Sequence, residues 1–204
     1  MVTSPFAHLR NDYRVVIADP PWSFKSNSAA KPGRNAMRHY DVMPLAEIAQ
    51  LPVKDVVADD AVLWLWITGP FLAIGAHKPI MSSWGFEPSG MGFVWVKLNP
   101  NAPAATFSER DLAMGGGFTT RKNCEFVVIG KRGKSVRKSA GVHEVIIEPR
   151  REHSRKPEKF YQRVQAYSDG PYLEMFARQS RDGFDGWGRE STKFDPPQPQ
   201  EVLS

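Results

Sequence analysis

Val15-Val16-Ile17-Ala18-Asp19-Pro20-Pro21-Trp22 sets four apolar residues, three of them β-branched, directly ahead of a carboxylate, two prolines and an indole. A continuous apolar run of this kind predicts a strand buried on both faces, as in a parallel sheet. Proline has no N–H to give to a ladder, so the strand has to stop at Asp19. Asp19 is thereby expected at the carboxyl end of a parallel strand, the edge along which open α/β sheets bind their ligands.

The rest of the chain alternates in the same style. Further core strands are predicted over 61–67, 92–97, 125–129, 142–148 and 172–176, with a basic, hairpin-like turn over 130–134. Helical spacing covers 45–51, 70–84 up to Gly85, and 157–167 with proline in its first turn. Strands alternating with helices predict an α/β fold with a mostly parallel sheet flanked by helices. Residues 23–39 have the composition of a mobile loop. Residues 99–118, with two prolines and three successive glycines, read as a long irregular excursion, and the Pro/Gln-rich segment 193–204 as a disordered tail.

At 204 residues, with 41% hydrophobic and 24% charged residues, the chain suits a single α/β domain, here placed at 1–192. No apolar run approaches membrane-spanning length and no signal-peptide pattern opens the chain, so a cytoplasmic setting is expected. One cysteine, Cys124, excludes an intramolecular disulfide, and no metal site is expected. A net charge of +5 fits a polyanionic partner without requiring one. GxGxxG after a strand and GxxxxGK[ST] are both missing, which argues against ordinary dinucleotide and P-loop sites.

The tetrad Asp19-Pro20-Pro21-Trp22 suits one task in particular. An exocyclic aromatic amine is a poor nucleophile because its lone pair is delocalised into the ring. A carboxylate and a backbone carbonyl that hold both amine hydrogens would localise that pair as the nitrogen turns tetrahedral. Asp19 supplies the carboxylate, Pro20 a carbonyl on a φ-locked residue, and Trp22 a flat face on which a base could stack. A plain turn is the competing reading, since Asp and Pro are common turn formers.

The tetrad is followed by His39-Tyr40-Asp41-Val42-Met43, Leu63-Trp64-Leu65-Trp66-Ile67-Thr68-Gly69, Val94-Trp95-Val96-Lys97, the Glu125–Gly130 segment, His153-Ser154-Arg155-Lys156-Pro157 and Glu174-Met175-Phe176-Ala177-Arg178. In that order, over about residues 6–190, the chain resembles the MT-A70 adenine methyltransferases, in the compact layout of their bacterial and phage branch. The resemblance implies a Rossmann-like fold dependent on S-adenosylmethionine and permuted, so that the catalytic tetrad precedes the main cofactor strand. It implies transfer to the exocyclic amine of adenine, with Asp19, Pro20, Pro21 and Trp22 as the catalytic set. Cofactor contacts are implied for Asp19, Lys156, Glu174, Arg178, Arg189 and Glu190. Lys156 is expected near the cofactor carboxylate, beside the anion-favouring start of the helix at Pro157.

Relatives usually carry Asn where Arg189 stands. Arginine only donates, so the ribose contact is expected to pass to Glu190. Cys124, where bacterial relatives often have His, is assigned no chemical role. Trp22, Tyr40, Glu125, Arg34, Arg38, His39, Arg150 and His153 are expected to bind substrate, with Arg151 and Arg155 as further phosphate contacts. The loops 23–40 and 150–156 are expected to close over it.

The leading expectation is methylation of adenine in DNA, with a duplex target flipped out of the stack. RNA adenine methylation is the alternative, and a catalytically inactive nucleic-acid-binding subunit a third, against which the intact tetrad argues. The partner is therefore nucleic acid, DNA ahead of RNA, with no membrane and with a homo- or heterodimer open. The excursion 99–118 is the candidate for target recognition.

Overall fold

The computed structural model describes residues 4–23, 42–103, 105–116, 120–134, 136–152 and 154–197. Seven strands form one sheet: β1 (Tyr13–Ala18), β2 (Val57–Ile67), β3 (Glu87–Leu98), β4 (Cys124–Arg132), β5 (Val145–Pro149), β6 (Tyr172–Met175) and β7 (Phe184–Trp187). Their order across the sheet is β5-β3-β4-β2-β1-β6-β7. β1 pairs in parallel with β2 and β6, β3 with β5, and β6 with β7, whereas β4 runs antiparallel to both β2 and β3. Six strands thus point one way and β4 alone is reversed. The fold is the expected Rossmann-like methyltransferase sheet, and β1, early in the chain, lies beside β6, late in the chain.

The apolar run of β1 is buried on both faces because consecutive side chains point to opposite sides. Val16 packs in one layer with Ile48 of α1 (Leu45–Gln50) and Ile80, Met81 and Trp84 from α3 (His77–Ser83) and its C-cap. Val15 and Ile17 pack in the other with Trp64, Trp66 and Phe93, and with Phe160 and Val164 of α4 (Glu158–Tyr167).

The structure departs from the sequence reading in five places. The single helix over 70–84 is two helices, α2 (Gly69–Ala73) and α3, because Gly75 turns left-handed (φ 71) between them. β3 begins earlier than Gly92 and bends through irregular register. A Cβ at Gly92 would lie 2.8 Å from the Trp64 ring, so glycine is what lets the strand lie against that indole. The basic segment 130–134 is no hairpin: β4 and β5 are separated by β3 and do not pair. β7 was not expected at all, since Phe184-Asp185-Gly186-Trp187 lacks β-branched residues; it forms by pairing along β6. The segment from 193 on, expected to be disordered, is anchored at its start. The Phe194 N–H donates to the Arg178 carbonyl (2.9 Å), and the Ser180 N–H donates to Asp195 (2.7 Å). Residues 198–204 lie outside the described residues.

Candidate active site

β1, β2, β3 and β6 all end on one edge of the sheet, and the reversed β4 starts there. That places Asp19, just past β1, on the same edge as Thr68 after β2, Lys97 near the end of β3, Glu125 at the start of β4, and Phe176 and Arg178 after β6. The loop 150–156 completes the rim. Ser154 there holds a left-handed backbone (φ 68), unusual for a non-glycine residue, and the next turn delivers Lys156 to the start of α4.

Lys156 is the centre of the site. Its ammonium, on a side chain only 9% exposed, lies 2.9 Å from Asp19 Oδ2 and 2.9 Å from Glu125 Oε2, and 4.8 Å from the centre of the Trp66 ring. Glu125 Oε1 in turn takes Lys97 at 3.2 Å. Burial by itself would lower the Lys156 pKa, but the two carboxylates outweigh it and raise it. Burial opposes ionisation of Glu125 as well, yet Lys156 and then Lys97 hold its carboxyl down at about 2. Asp19 goes the other way: burial raises it and Glu125 adds to the rise, with Lys156 only partly offsetting both. The structure therefore holds Asp19 as a desolvated carboxyl whose ionised form is favoured chiefly by Lys156, with Arg178 adding to it. Perturbed groups of this kind cluster at functional sites.

Two cavities meet at Asp19. One, of about 390 Å³, is lined by the whole tetrad with Trp66, Lys97, Glu125, Arg150 and Lys156. The other, of about 810 Å³, runs over the ends of β6 and β7 and is lined by Asp19, Pro21, Phe176, Arg178, Arg189 and Glu190. Arg178 faces both, and its guanidinium pairs with Glu190 at 3.5 Å. Pro20 is fixed by a tight turn in which the Trp22 N–H donates to its carbonyl at 2.8 Å, leaving that oxygen one lone pair for a second donor. The Pro21 carbonyl accepts the Met43 N–H at 2.8 Å, tying the tetrad to the segment before α1.

The sequence-predicted residues thus separate into groups. Asp19, Pro20, Pro21, Glu125, Arg150, Lys156 and Arg178 share a site, and Arg189 and Glu190 line the larger cavity beside it. Glu174 lies in neither. It faces a recess of about 20 Å³ behind Asp19, where it accepts a 2.6 Å hydrogen bond from Tyr161 Oη, and burial pushes its carboxyl up to about 7. Trp22 borders the smaller cavity but is only 4% exposed, too little for a base to stack on its face: its indole packs on Phe71 (centroids 5.3 Å apart), and its N–H donates to the Trp66 carbonyl (3.2 Å). The apolar layer on that side of the sheet claims the ring. Lys156, expected at a cofactor carboxylate, is instead engaged by two carboxylates of the chain itself and lies outside the larger cavity.

Arg151 donates to the Lys156 carbonyl and to Glu158, and Arg155 is held by Glu152 and Gln179, so both brace the loop. Arg150 is exposed on the cavity rim, and its guanidinium has no partner among the described residues. Cys124 is half-buried, and burial pushes its thiol up. Arg34, Arg38, His39, Tyr40 and His153 lie outside the described residues. The sequence reading missed Lys97, Trp66 and Tyr161. For Lys97 a signal existed, because a charge ending an apolar strand is what had singled out Asp19.

The MT-A70 family model matches residues 13–190. The type II methyltransferase M.MunI of Mycoplasma sp is 29% identical over 95% of this chain and 84% of its own length. The N6-methyladenosine RNA methyltransferase MTA1 of Cryphonectria parasitica is 28% identical over 91% of this chain and 54% of its own. The human N(6)-adenosine-methyltransferase catalytic subunit METTL3 is 27% identical over 81% and 26% respectively. The chain spans most of the Mycoplasma relative, about half of the fungal one and about a quarter of the human one. On the match to the family model, with the tetrad at the meeting point of two cavities, this chain belongs to the MT-A70 family of adenine-N6 methyltransferases.

Proposed function

We propose that this protein transfers a methyl group from S-adenosylmethionine to the N6 amine of adenine in DNA. The observation that carries this reading is the place of Asp19, a desolvated carboxylate on the wall shared by two cavities. One reactant on each side would meet across it.

The larger cavity has the chemistry for the donor. Its volume of about 810 Å³ is in the range of small-molecule sites. Glu190 can accept from ribose hydroxyls, Arg178 and Arg189 can pair with a carboxylate, and Asp19 suits an ammonium or a sulfonium charge. The bound donor supplies an electrophilic methyl group. The residues of the chain do the rest. Asp19 accepts one hydrogen of the amine and the spare lone pair of the Pro20 carbonyl accepts the other, which directs the nitrogen lone pair towards the larger cavity. As nitrogen becomes positive in the transition state, the same two acceptors stabilise it more than they did the neutral amine, and this difference is what accelerates the step. Asp19 is then the nearest acceptor for the departing proton.

The smaller cavity has the chemistry for a nucleotide. Six cations (Lys97, Arg150, Arg151, Arg155, Lys156 and Arg178) face three carboxylates (Asp19, Glu125 and Glu152), a positive excess that favours phosphate. DNA is preferred over RNA on the likeness to a type II methyltransferase along nearly the whole chain. The RNA reading is favoured by relatives named as RNA methyltransferases. The test is transfer of labelled methyl to duplex DNA, single-stranded DNA, RNA and free adenosine, with Asp19→Asn alongside. DNA labelled in preference, with Asp19→Asn slower by about 10²-fold or more, is the expected result. Preferential labelling of RNA would replace DNA as the substrate, and an unaffected Asp19→Asn would overturn the mechanism.

A further inference from the structure

We infer that Lys97 is a positioning residue for the transfer: by holding Glu125 it sets how Lys156 is shared between Glu125 and Asp19, and so how free Asp19 is to accept the amine hydrogen. The inference rests on the Asp19 reading above and gives Lys97, already counted among the cations of the smaller cavity, a second role exerted through Glu125.

The geometry is a row of alternating charges. Lys97 Nζ lies 3.2 Å from Glu125 Oε1, while Glu125 Oε2 lies 2.9 Å from Lys156 Nζ, which lies 2.9 Å from Asp19 Oδ2. Each link comes from a different element: β3, β4, the loop before α4, and the end of β1. Lys97 is well fixed, its N–H donating to the Asn123 carbonyl (2.8 Å) and its own carbonyl accepting the Ala113 N–H (2.7 Å). Its side chain is only 18% exposed and lines the smaller cavity. An exposed cross-strand ion pair contributes little. This one is sheltered and ends on the carboxylate that competes with Asp19 for a single ammonium.

The competition gives the two neighbours opposite effects. Without Lys97, the Glu125 charge is less compensated and draws Lys156 towards itself, so Asp19 holds its proton to higher pH. Without the Glu125 charge, Lys156 belongs wholly to Asp19, and Asp19 ionises at lower pH. The other groups acting on Asp19 are Arg178 past β6, Glu174 on β6 and Tyr161 on α4, and the substitutions leave all three in place. The carboxyls titrate together, so the observable is the apparent acidic limb of the site.

The experiment is single-turnover methyl transfer against pH for wild type, Lys97→Met, Lys97→Gln, Lys97→Arg and Glu125→Gln. It is paired with ¹³C-carboxyl NMR titration of Glu125 in the free protein. The acidic limb is expected to move up by roughly half a pH unit or more in Lys97→Met and Lys97→Gln, return towards wild type in Lys97→Arg, and move down in Glu125→Gln. The Glu125 resonance should titrate higher in both neutral Lys97 variants. Limbs that coincide in wild type and the folded neutral variants, or that move the same way for Lys97 and Glu125, overturn the inference and leave Lys97 a packing residue. If wild type methylates no nucleic acid, or Asp19→Asn is fully active, it is the activity reading that fails, and the Glu125 titration still decides the Lys97 contact.

Discussion

Replacing Lys156 by Met tests the electrostatic design of the site through stability alone. The methionine keeps most of the apolar stem and removes only the ammonium. Two carboxylate oxygens, each 2.9 Å from the same nitrogen and so no more than twice that distance apart, then face one another in a sheltered site. In the wild type, Glu125 is displaced from an ordinary 4.5 to about 2, against its own burial, by Lys156 first and Lys97 second. That displacement corresponds to about 3 kcal/mol in favour of the folded, ionised form, with the doubly engaged Lys156 as its first cause. Breaking one side of a buried pair costs about 3–5 kcal/mol when nothing else compensates. Here Lys97 remains on Glu125, which keeps the expected loss at about 2–3 kcal/mol at pH 7, or about 4–12 °C in Tm for a chain of this size. A depressed carboxyl contributes stability that is present above its unfolded pKa and is lost as pH falls through its folded one. The gap between wild type and variant should therefore be widest at neutral pH and close between about 4.5 and 2. Thermal unfolding of both proteins at pH 7 and pH 3 measures it. Equal Tm values at pH 7, or a gap that persists unchanged at pH 3, would refute the reasoning.

Three further outcomes are expected. Trp22→Ala should lose about 3–5 kcal/mol of stability, the usual cost of emptying a buried aromatic site; a variant as stable as wild type that is impaired only in binding substrate would restore the stacking role. Arg150→Ala should weaken nucleic-acid binding and lower the slope of log affinity against log salt by about one, because one phosphate contact is lost; an unchanged slope would remove Arg150 from the interface. Tyr161→Phe deletes the hydrogen bond that favours ionised Glu174, so the Glu174 carboxyl should titrate above its present value of about 7; a ¹³C titration that moves down or not at all would contradict this.

Much of the fold was legible in the sequence because burial writes itself into short apolar runs. Val15–Ala18, Ala61–Ile67 and Phe126–Ile129 are strands because nothing else fits their length and branching. The end of β1 was equally plain, since two prolines cannot extend a ladder, and with it the place of Asp19 at the binding edge. The family followed from ordered motifs over nearly the whole chain, a signal that does not require three dimensions.

Tertiary structure decided what depends on neighbours distant in sequence. The direction of β4 is set by pairing with β2 and β3, and its reversal starts the strand on the edge where β1 and β3 end, which brings Glu125 beside Lys97 and Asp19. The state of Lys156 was equally hidden. A lysine before a helix reads as an anion site, and only the approach of two carboxylates shows that the chain supplies those anions itself. Trp22 reads as a platform until Phe71 and the Trp66 carbonyl enclose it, and Phe184–Trp187 becomes a strand only because β6 offers a free edge. The physical reason is common to all four. Local sequence fixes backbone preference and polarity, whereas charge state, exposure and edge pairing are properties of surroundings assembled from residues far apart in the chain.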